Sequence, residues 1–353
     1  MAEHYKALGI MSGSSLDGVD MALCEFVRNE GIWSFNMIKA ITCPYSEEWK
    51  ITLRSLPGKS HEEITKTDLE YGRFLGELVN EFLFDCYEKP ELIASHGHTI
   101  FHEPEKGYTL QIGDGQTIAT VTGITTINNF RSKDIELGGQ GAPLVPIGDQ
   151  LLFAGYDFCL NIGGIANISF ESDGKRLAFD VCPANQLLNY LSLQLGAQFD
   201  DNGFFAGLGK LNTELFDLLN ADPYYKRETP KSLSNQYVID SFIPKIEKAD
   251  LTVEDKLYTV VKHIAFQVNR AVSRFPAGKM LITGGGAHNG FLVKAIELET
   301  KHTIVIPETE IIDFKEAVIF ALMGVLRLRN EVNCLASVTG ARKDSSCGVI
   351  FRP

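Results

Sequence analysis

What this sequence lacks narrows its function before anything present is considered. It has no dense lysine or arginine run: 33 basic residues stand against 45 acidic ones, a formal charge of −12 over 353 residues. A chain this acidic repels nucleic acid and anionic membranes, so neither is expected as a partner and the substrate is expected to be small. Its seven cysteines are scattered, with no C-x-x-C pair. That excludes a regular zinc or disulfide framework and predicts free thiols in a reducing, cytoplasmic setting. The longest apolar run, Ala317–Leu326, is too short to span a bilayer, and the polar start Met1–Lys6 does not read as a secretory signal.

What is present is ordinary globular composition, 44% hydrophobic and 22% charged, with length for two domains. The organising stretch is Gly9-Ile-Met-Ser-Gly-Ser-Ser-Leu-Asp-Gly-Val-Asp20. It reads as strand, tight turn and strand, but it is neither a Walker A loop nor G-x-G-x-x-G. Gly13 and Gly18 let a ligand approach the main chain, and Ser12, Ser14 and Ser15 add hydroxyls to a run of N–H groups, which suits a phosphate. Asp17 and Asp20 would repel a bare phosphate; they make sense with Mg²⁺ between, held directly or through water. The turn expected to hold nucleotide is therefore Gly13, Ser14, Ser15, Leu16, Asp17, Gly18, Val19 and Asp20.

The pattern returns. Val19–Phe26 and Ile32–Ile41 follow the turn as strands, then a helix over 61–87, a strand at Leu92–Ser95, a short helix at Gly115–Val121 and a strand at Ile124–Ile127. The second half repeats the order: strands at Phe158–Ile162, Ala166–Phe170 and Arg176–Phe179, a helix starting at Pro183, a long helix at Leu257–Phe275, and strands at Lys279–Thr283 and Thr303–Ile306 around a helix at Gly290–Glu299. A polar stretch, 221–250, reads as an insertion or lid. Asp313 reads as the cap of a closing helix to Leu328. Two β-β-β-α-β-α-β units are expected to leave a cleft into which each turns a glycine hairpin. Asn161, Gly163 and Gly164 form the second phosphate turn. Gly284, Gly285 and Gly286, at a strand end, are placed to contact adenosine. Asp180 closes a strand beside the second hairpin, where it is either a helix cap or a general base.

The motifs together resemble a known family. The duplicated unit resembles the sugar kinase, chaperone ATPase and actin superfamily. Gly9–Asp20, Ser95-His-Gly-His-Thr99, Gln111-Ile-Gly-Asp114, Asn129-Phe-Arg131, Gly138-Gly-Gln-Gly-Ala-Pro-Leu-Val145, Asn161–Asn167, Phe179-Asp180 with Pro183 and Asn185, Gly284–Asn289 and Glu316-Ala317 resemble, in order, the anhydro-N-acetylmuramic acid kinase family.

The resemblance implies an α/β fold of two duplicated ribonuclease H-like (actin-like ATPase) domains with a cleft between them, 1–130 plus 313–353 and 131–312. It implies ATP and Mg²⁺, hydrolytic opening of a 1,6-anhydro sugar with phosphorylation of O6, and a place in peptidoglycan recycling. Asp180 then becomes the base, and Thr99, Gln111, Arg131 and Glu316 the sugar-binding set, Arg131 pairing with the lactyl carboxylate as a fork. A homodimer is the assembly left open.

Two departures stand out. His98 occupies a position where the family has Gln, and Val181, Cys182 and Ala184 replace Thr, Gly and Gly beside Asp180. The changes beside Asp180 are expected to narrow the space there and shift substrate preference, and His98 leaves the exact sugar open as well. Three other readings compete. His96, His98 and His102 could hold a metal, though no carboxylate follows at a zinc-enzyme spacing. The fold could serve a conformational ATPase without a sugar. A divergent paralogue could phosphorylate another anhydro or amino sugar.

Overall fold

A computed structural model describes residues 2–13 and 16–353. Ser14 and Ser15, the hydroxyls expected at the tip of the opening turn, lie outside the described residues.

The chain begins with three antiparallel strands, β1 (Glu3–Ser12), β2 (Gly18–Asn29) and β3 (Ile32–Pro44). Next come α1 (Glu47–Ser55), capped by Ser46, and α2 (His61–Phe82), whose Ser60 and Glu63 form a reciprocal capping box. Then follow β4 (Leu92–Ser95), β5 (His98–Glu103), β6 (Tyr108–Ile112), α3 (Gly115–Thr122), β7 (Thr125–Asn128), α4 (Ser132–Glu136) and α5 (Pro146–Leu152).

The pattern restarts with β8 (Phe158–Ile162), β9 (Ile165–Ser172), β10 (Lys175–Pro183) and α6 (Asn185–Leu193). It continues through α7 (Thr213–Asn220), α8 (Asn235–Tyr237), α9 (Ile243–Lys248), α10 (Val253–Val272), β11 (Lys279–Thr283), α11 (Gly290–Glu299) and β12 (Thr303–Val305). The chain closes with α12 (Thr309–Leu328), α13 (Ala336–Thr339) and β13 (Val349–Phe351).

The first sheet has the order β13-β7-β4-β1-β2-β3 and the second β10-β9-β8-β11-β12. Without β13 the two match strand for strand: an antiparallel meander, with two further strands parallel to its first. This is the duplicated ribonuclease H-like topology. Central strands carry unbroken buried runs, Ala7–Ile10 in β1 and Phe158–Leu160 in β8, as strands covered on both faces require.

The chain divides into two compact units, one running to Phe153 and resuming at Phe314, the other Ala154–Asp313. Residues 131–153 therefore go with the first unit, not the second as the sequence suggested. The cause is side-chain contact. Gly148 of α5 lies against Ile319 of α12, Lys315 pairs with Asp149 at 2.7 Å with both side chains buried, and Phe153 meets Phe35 of β3 edge-on at 5.8 Å.

Other expectations change at element ends. The helix from His61 stops at Phe82 rather than 87. The closing helix begins at Thr309, so Asp313 is not its cap; it sits inside the helix, 2.7 Å from His288 Nε2. Pro183 ends β10 rather than opening α6. The stretch 221–250 buries Tyr224, Val238, Phe242 and Ile246 in the core of the second unit.

One contact positions α12. A β-carbon on Gly9 of β1 would lie 1.8 Å from the Ala317 carbonyl oxygen and 2.9 Å from the Ala321 nitrogen. Only glycine lets the helix backbone reach the strand there. Gly9→Ala is expected to lower the unfolding free energy by about 2–4 kcal/mol, read by urea denaturation.

Candidate active site

In the first unit, four of the expected residues come from three segments. Thr99 and Gln111 are paired across the β5–β6 hairpin, with Gln111 Nε2 3.4 Å from Thr99 Oγ1 and 2.8 Å from Thr109 Oγ1. Arg131 ends the loop before α4, a helix that lies against β6. Glu316 comes from α12, and its charge and that of Arg131 act on each other. Burial pushes the Glu316 carboxyl up, while the cations Lys315 and Arg131 pull it back.

The sequence did not show what holds Arg131. Its Nε and Nη2 both donate to His96 Nε2, at 3.0 and 2.8 Å, and Nη1 donates to the Gly141 carbonyl at 2.7 Å. His96 must therefore carry its proton on Nδ1, which donates to the Gly97 carbonyl at 2.9 Å. Burial first, and the neighbouring guanidinium second, hold His96 well below its usual pKa. Its ring lies 4.9 Å from that of Phe320, one helical turn beyond Glu316 on α12. Gly141 donates in turn to Asp134 Oδ2 at 2.8 Å, and Asp134 Oδ1 accepts from Thr339 Oγ1 at 2.8 Å. The Gly138–Val145 motif is thus tied down by a buried aspartate, and one of its carbonyls fixes Arg131.

These bonds also account for the histidines. His98 Nδ1 lies 2.8 Å from Ser12 Oγ, which is 2.6 Å from Tyr45 Oη, and His102 Nδ1 lies 3.3 Å from Thr109 Oγ1. Each ring nitrogen so engaged serves local structure, and among the described residues no metal-binding cluster of His, Cys, Asp or Glu forms.

The opening hairpin pairs Ser12 with Val19 and Met11 with Asp20. Gly13 accepts from the Leu16 N–H, Leu16 has φ 61°, and Gly18 packs under the Cys43 carbonyl. Asp17 is exposed on the turn. Asp20 accepts from Thr42 Oγ1 at 2.6 Å, and its charge raises the Glu316 carboxyl. A hard cation fits here on chemical grounds: Asp20 offers a carboxylate oxygen, and Mg²⁺ needs only one or two such ligands beside water and phosphate.

In the second unit, register does the gathering. Asp180 lies opposite Asn167, Asn167 opposite Asn161, and Asn161 opposite Thr283. One cross-strand row therefore runs from Asp180 to the strand end that enters Gly284. A β-bulge follows Asp180 at once, a device that re-aims side chains beside functional sites. Gly163 and Gly164 form the two-residue turn between β8 and β9. Their carbonyls accept from the N–H groups of Ala184, Asn185 and Gln186, which ties the turn to the start of α6.

Gly284 has φ 80°, and a β-carbon there would meet Asn161 Oδ1 at 2.6 Å. A β-carbon on Gly286 would meet Ile162 Cγ2 at 2.3 Å. One on Gly164 or Gly285 meets nothing closer than 3.7 Å. Packing explains the first two glycines; at the last two, glycine keeps the space beside the main chain open.

Asp180 is not a helix cap. Its Oδ2 accepts from the Leu233 N–H at 2.8 Å, its N–H donates to the Lys231 carbonyl at 3.1 Å, and its carbonyl accepts from the Tyr224 hydroxyl. Burial pushes its carboxyl up to about 6, against the Leu233 hydrogen bond that lowers it.

With this geometry in place, comparison with known proteins is decisive. Residues 5–353 match the sequence profile of the family described as anhydro-N-acetylmuramic acid kinase. The curated kinase of that name from Mannheimia succiniciproducens is 34% identical over 99% of both chains, and that from Gloeobacter violaceus 35% identical over 95% of both. The chain belongs to the anhydro-N-acetylmuramic acid kinase family. Among solved structures, the ADPNP-bound activator of 2-hydroxyisocaproyl-CoA dehydratase from Clostridium difficile aligns with TM-score 0.42 at 14% identity, covering 90% of this chain and 93% of its own.

Within this anhydro-N-acetylmuramic acid kinase family member, the departures face inward. Val181, Cys182 and Ala184 are buried in the core of the second unit, and burial pushes the Cys182 thiol up. His98 is buried with Ser12 and Tyr45. Cys182 stays within reach of the Asp180 charge, and His98 bonds to Ser12 at the opening turn, so the departures fill space directly behind the expected site residues.

His96→Phe removes the acceptor under Arg131. It is expected to cost about 1–3 kcal/mol of stability and to raise the sugar KM more than it lowers kcat. His96→Gln keeps an acceptor and should restore most of both, measured by denaturation and steady-state kinetics.

Proposed function

We propose that this kinase opens 1,6-anhydro-N-acetylmuramic acid with water and phosphorylates O6 from ATP, giving N-acetylmuramate 6-phosphate and ADP, with Asp180 as the base. The proposal rests most on Asp180, a half-buried carboxyl on the row that runs through Asn167 and Asn161 to the strand end entering Gly284. Water attacks the anomeric carbon while Asp180 accepts its proton. The C1–O6 bond breaks, and O6 is captured by the γ-phosphorus as the bond to ADP breaks. The anhydro oxygen then needs no separate acid.

Thr99, Gln111, Arg131 and Glu316 hold the sugar, with Arg131 forked on its carboxylate. Gly163 and Gly164 offer N–H groups to phosphate with Asn161 beside them, Gly284–Gly286 flank the adenosine, and Gly13–Asp20 takes the other phosphates. Mg²⁺, held by Asp20 and Asp17, would neutralise charge on the transferring phosphoryl group. Such a kinase works in the cytoplasm, on sugar released from cell-wall turnover.

The pKa of Asp180 sets a pH rule. A base must be ionised, so kcat/KM should rise with pH through about 6 and then level. The same group sits above its unfolded value of 3.8, so ionising it costs native stability at pH 7, and the cost vanishes as pH falls below 3.8. Asp180→Asn is therefore expected to lower kcat about 10²–10⁴-fold. It should also gain about 1–3 kcal/mol of stability at neutral pH. Mass spectrometry should show the anhydro sugar gaining water plus a phosphoryl group with wild type only; turnover surviving in Asp180→Asn would remove the base from its role. Gly164→Ala should fold normally, because its β-carbon meets only Gln186 Cβ at 3.9 Å, yet raise the KM for ATP. A tenfold rise would correspond to about 1.4 kcal/mol.

A further inference from the structure

A pocket lies in the Ala154–Asp313 unit, and neither Asp180 nor Asn161 lines it. Its cavity volume is about 180 Å³. Phe179 and Val181, the chain neighbours of Asp180, line one side with Tyr225. The other side is cationic: Lys231, from the segment before α8, and Arg270 and Arg274, from the end of α10 and just beyond it. Residues 267, 270, 271 and 274 all reach the pocket, the spacing of a single helical face.

Three features point to a ligand. In a chain of charge −12, three cations converge here, and among the described residues none of them forms an ion pair with a carboxylate. Cations at a helix C-terminus complement its dipole, which accounts for the two arginines but not for Lys231, which is on no helix. The Lys231 ammonium lies instead over aromatic faces, 4.5 Å from the Tyr224 ring and 5.7 Å from that of Tyr225. Burial first, and the charge of Arg270 second, lower its pKa. The volume is also below the roughly 300–1,000 Å³ of sites for drug-sized ligands, so a nucleotide does not fit within it whereas a single tetrahedral oxyanion does.

We propose that Lys231, Arg270 and Arg274 form a binding site for the phosphate group of a small phosphomonoester or of inorganic phosphate, seated behind the strand that carries Asp180. Arginine pairs bidentately with phosphate oxygens and lysine adds a point charge. The site has a direct line to Asp180: the Lys231 carbonyl accepts the Asp180 N–H, and the Leu233 N–H donates to its carboxylate. An anion bound by Lys231 pulls on the segment that orients that carboxylate. This second clause rests on Asp180 being the base; binding does not.

The test uses the whole chain with inorganic phosphate and glucose 6-phosphate as probes, glucose as the uncharged control, and titration calorimetry at fixed ionic strength without ATP. Phosphate also has the glycine turns to occupy, so the variants carry the decision. Arg270→Gln and Lys231→Gln should each weaken one class of sites at least about tenfold, and Gly164→Ala should leave that class unchanged. Should Lys231→Gln not fold, Arg270→Gln at its exposed position decides alone. Tighter binding of glucose 6-phosphate than of phosphate names an organic phosphomonoester as the source, and equal binding names inorganic phosphate; either supports the site. Binding of both probes that is unchanged in folded Arg270→Gln overturns it. Wild-type kcat at saturating Mg-ATP and sugar should change when phosphate is added, and the change should disappear in Arg270→Gln. Binding lost in the variant with no such change in the wild type would leave the site standing and end its link to Asp180.

Discussion

The absence of a side chain at Gly9 is what the first unit is built on. With no β-carbon there, the backbone of α12 settles against β1 at Ala317, and Glu316, Phe320 and Lys315 are fixed by that seating. Glu316 comes to bear on Arg131 and Asp20, Phe320 backs the His96 ring, and Lys315 closes a buried pair with Asp149. That pair is weak evidence for stability, because desolvating two charges offsets most of their attraction. Its consequence is positional: it docks α5 onto α12 and so holds residues 131–153, Arg131 among them, in the first unit.

The second unit uses the same device at Gly284. Positive φ and a missing β-carbon let the end of β11 close on Asn161, and Gly286 does the same against Ile162. The turn at Gly163-Gly164, tied by its carbonyls to the start of α6, is thereby held beside Gly284–Gly286. Asp180 joins because three antiparallel strands share one register, and the bulge after it sends Val181 and Cys182 into the core. Backbone geometry places this half; in the first, side-chain hydrogen bonds around Arg131 are added to the Gly9 seating.

That contrast explains how much could be read in advance. The glycine turns and the duplicated strand order were legible because turn chemistry and period-two alternation are local properties of sequence; the strand expected to end at Asp180 instead runs through a bulge to Pro183. The partnership of His96 with Arg131 was not: it joins residues 35 apart in the chain through a tautomer that only the Gly97 carbonyl reveals. Asp134 was missed for the same reason, since a buried acid in a short helix looks like a dipole-compensating one until Gly141 and Thr339 are seen donating to it. The start of α12 was misplaced because Asp313 is a good cap by composition, and its bond to His288 is tertiary.

The choice of histidine under Arg131 has an electrostatic meaning. A carboxylate would hold a guanidinium as firmly, but it would also cancel its charge. A neutral imidazole accepts two of the five N–H donors and leaves the positive charge intact; with Gly141 taking a third, one N–H remains on each Nη. Burial pulls the guanidinium down to about 10, which still leaves it fully cationic at neutral pH. The nearby Glu316 acts on Arg131 as a counter-charge, while burial raises its own pKa. In a protein with a surplus of twelve negative charges, an anionic sugar can be drawn in only where a cation has been kept unneutralised by design of its surroundings. The His96–Arg131–Gly141 arrangement supplies such a cation: its position comes from neutral acceptors, which is what the sugar-binding role proposed for Arg131 requires.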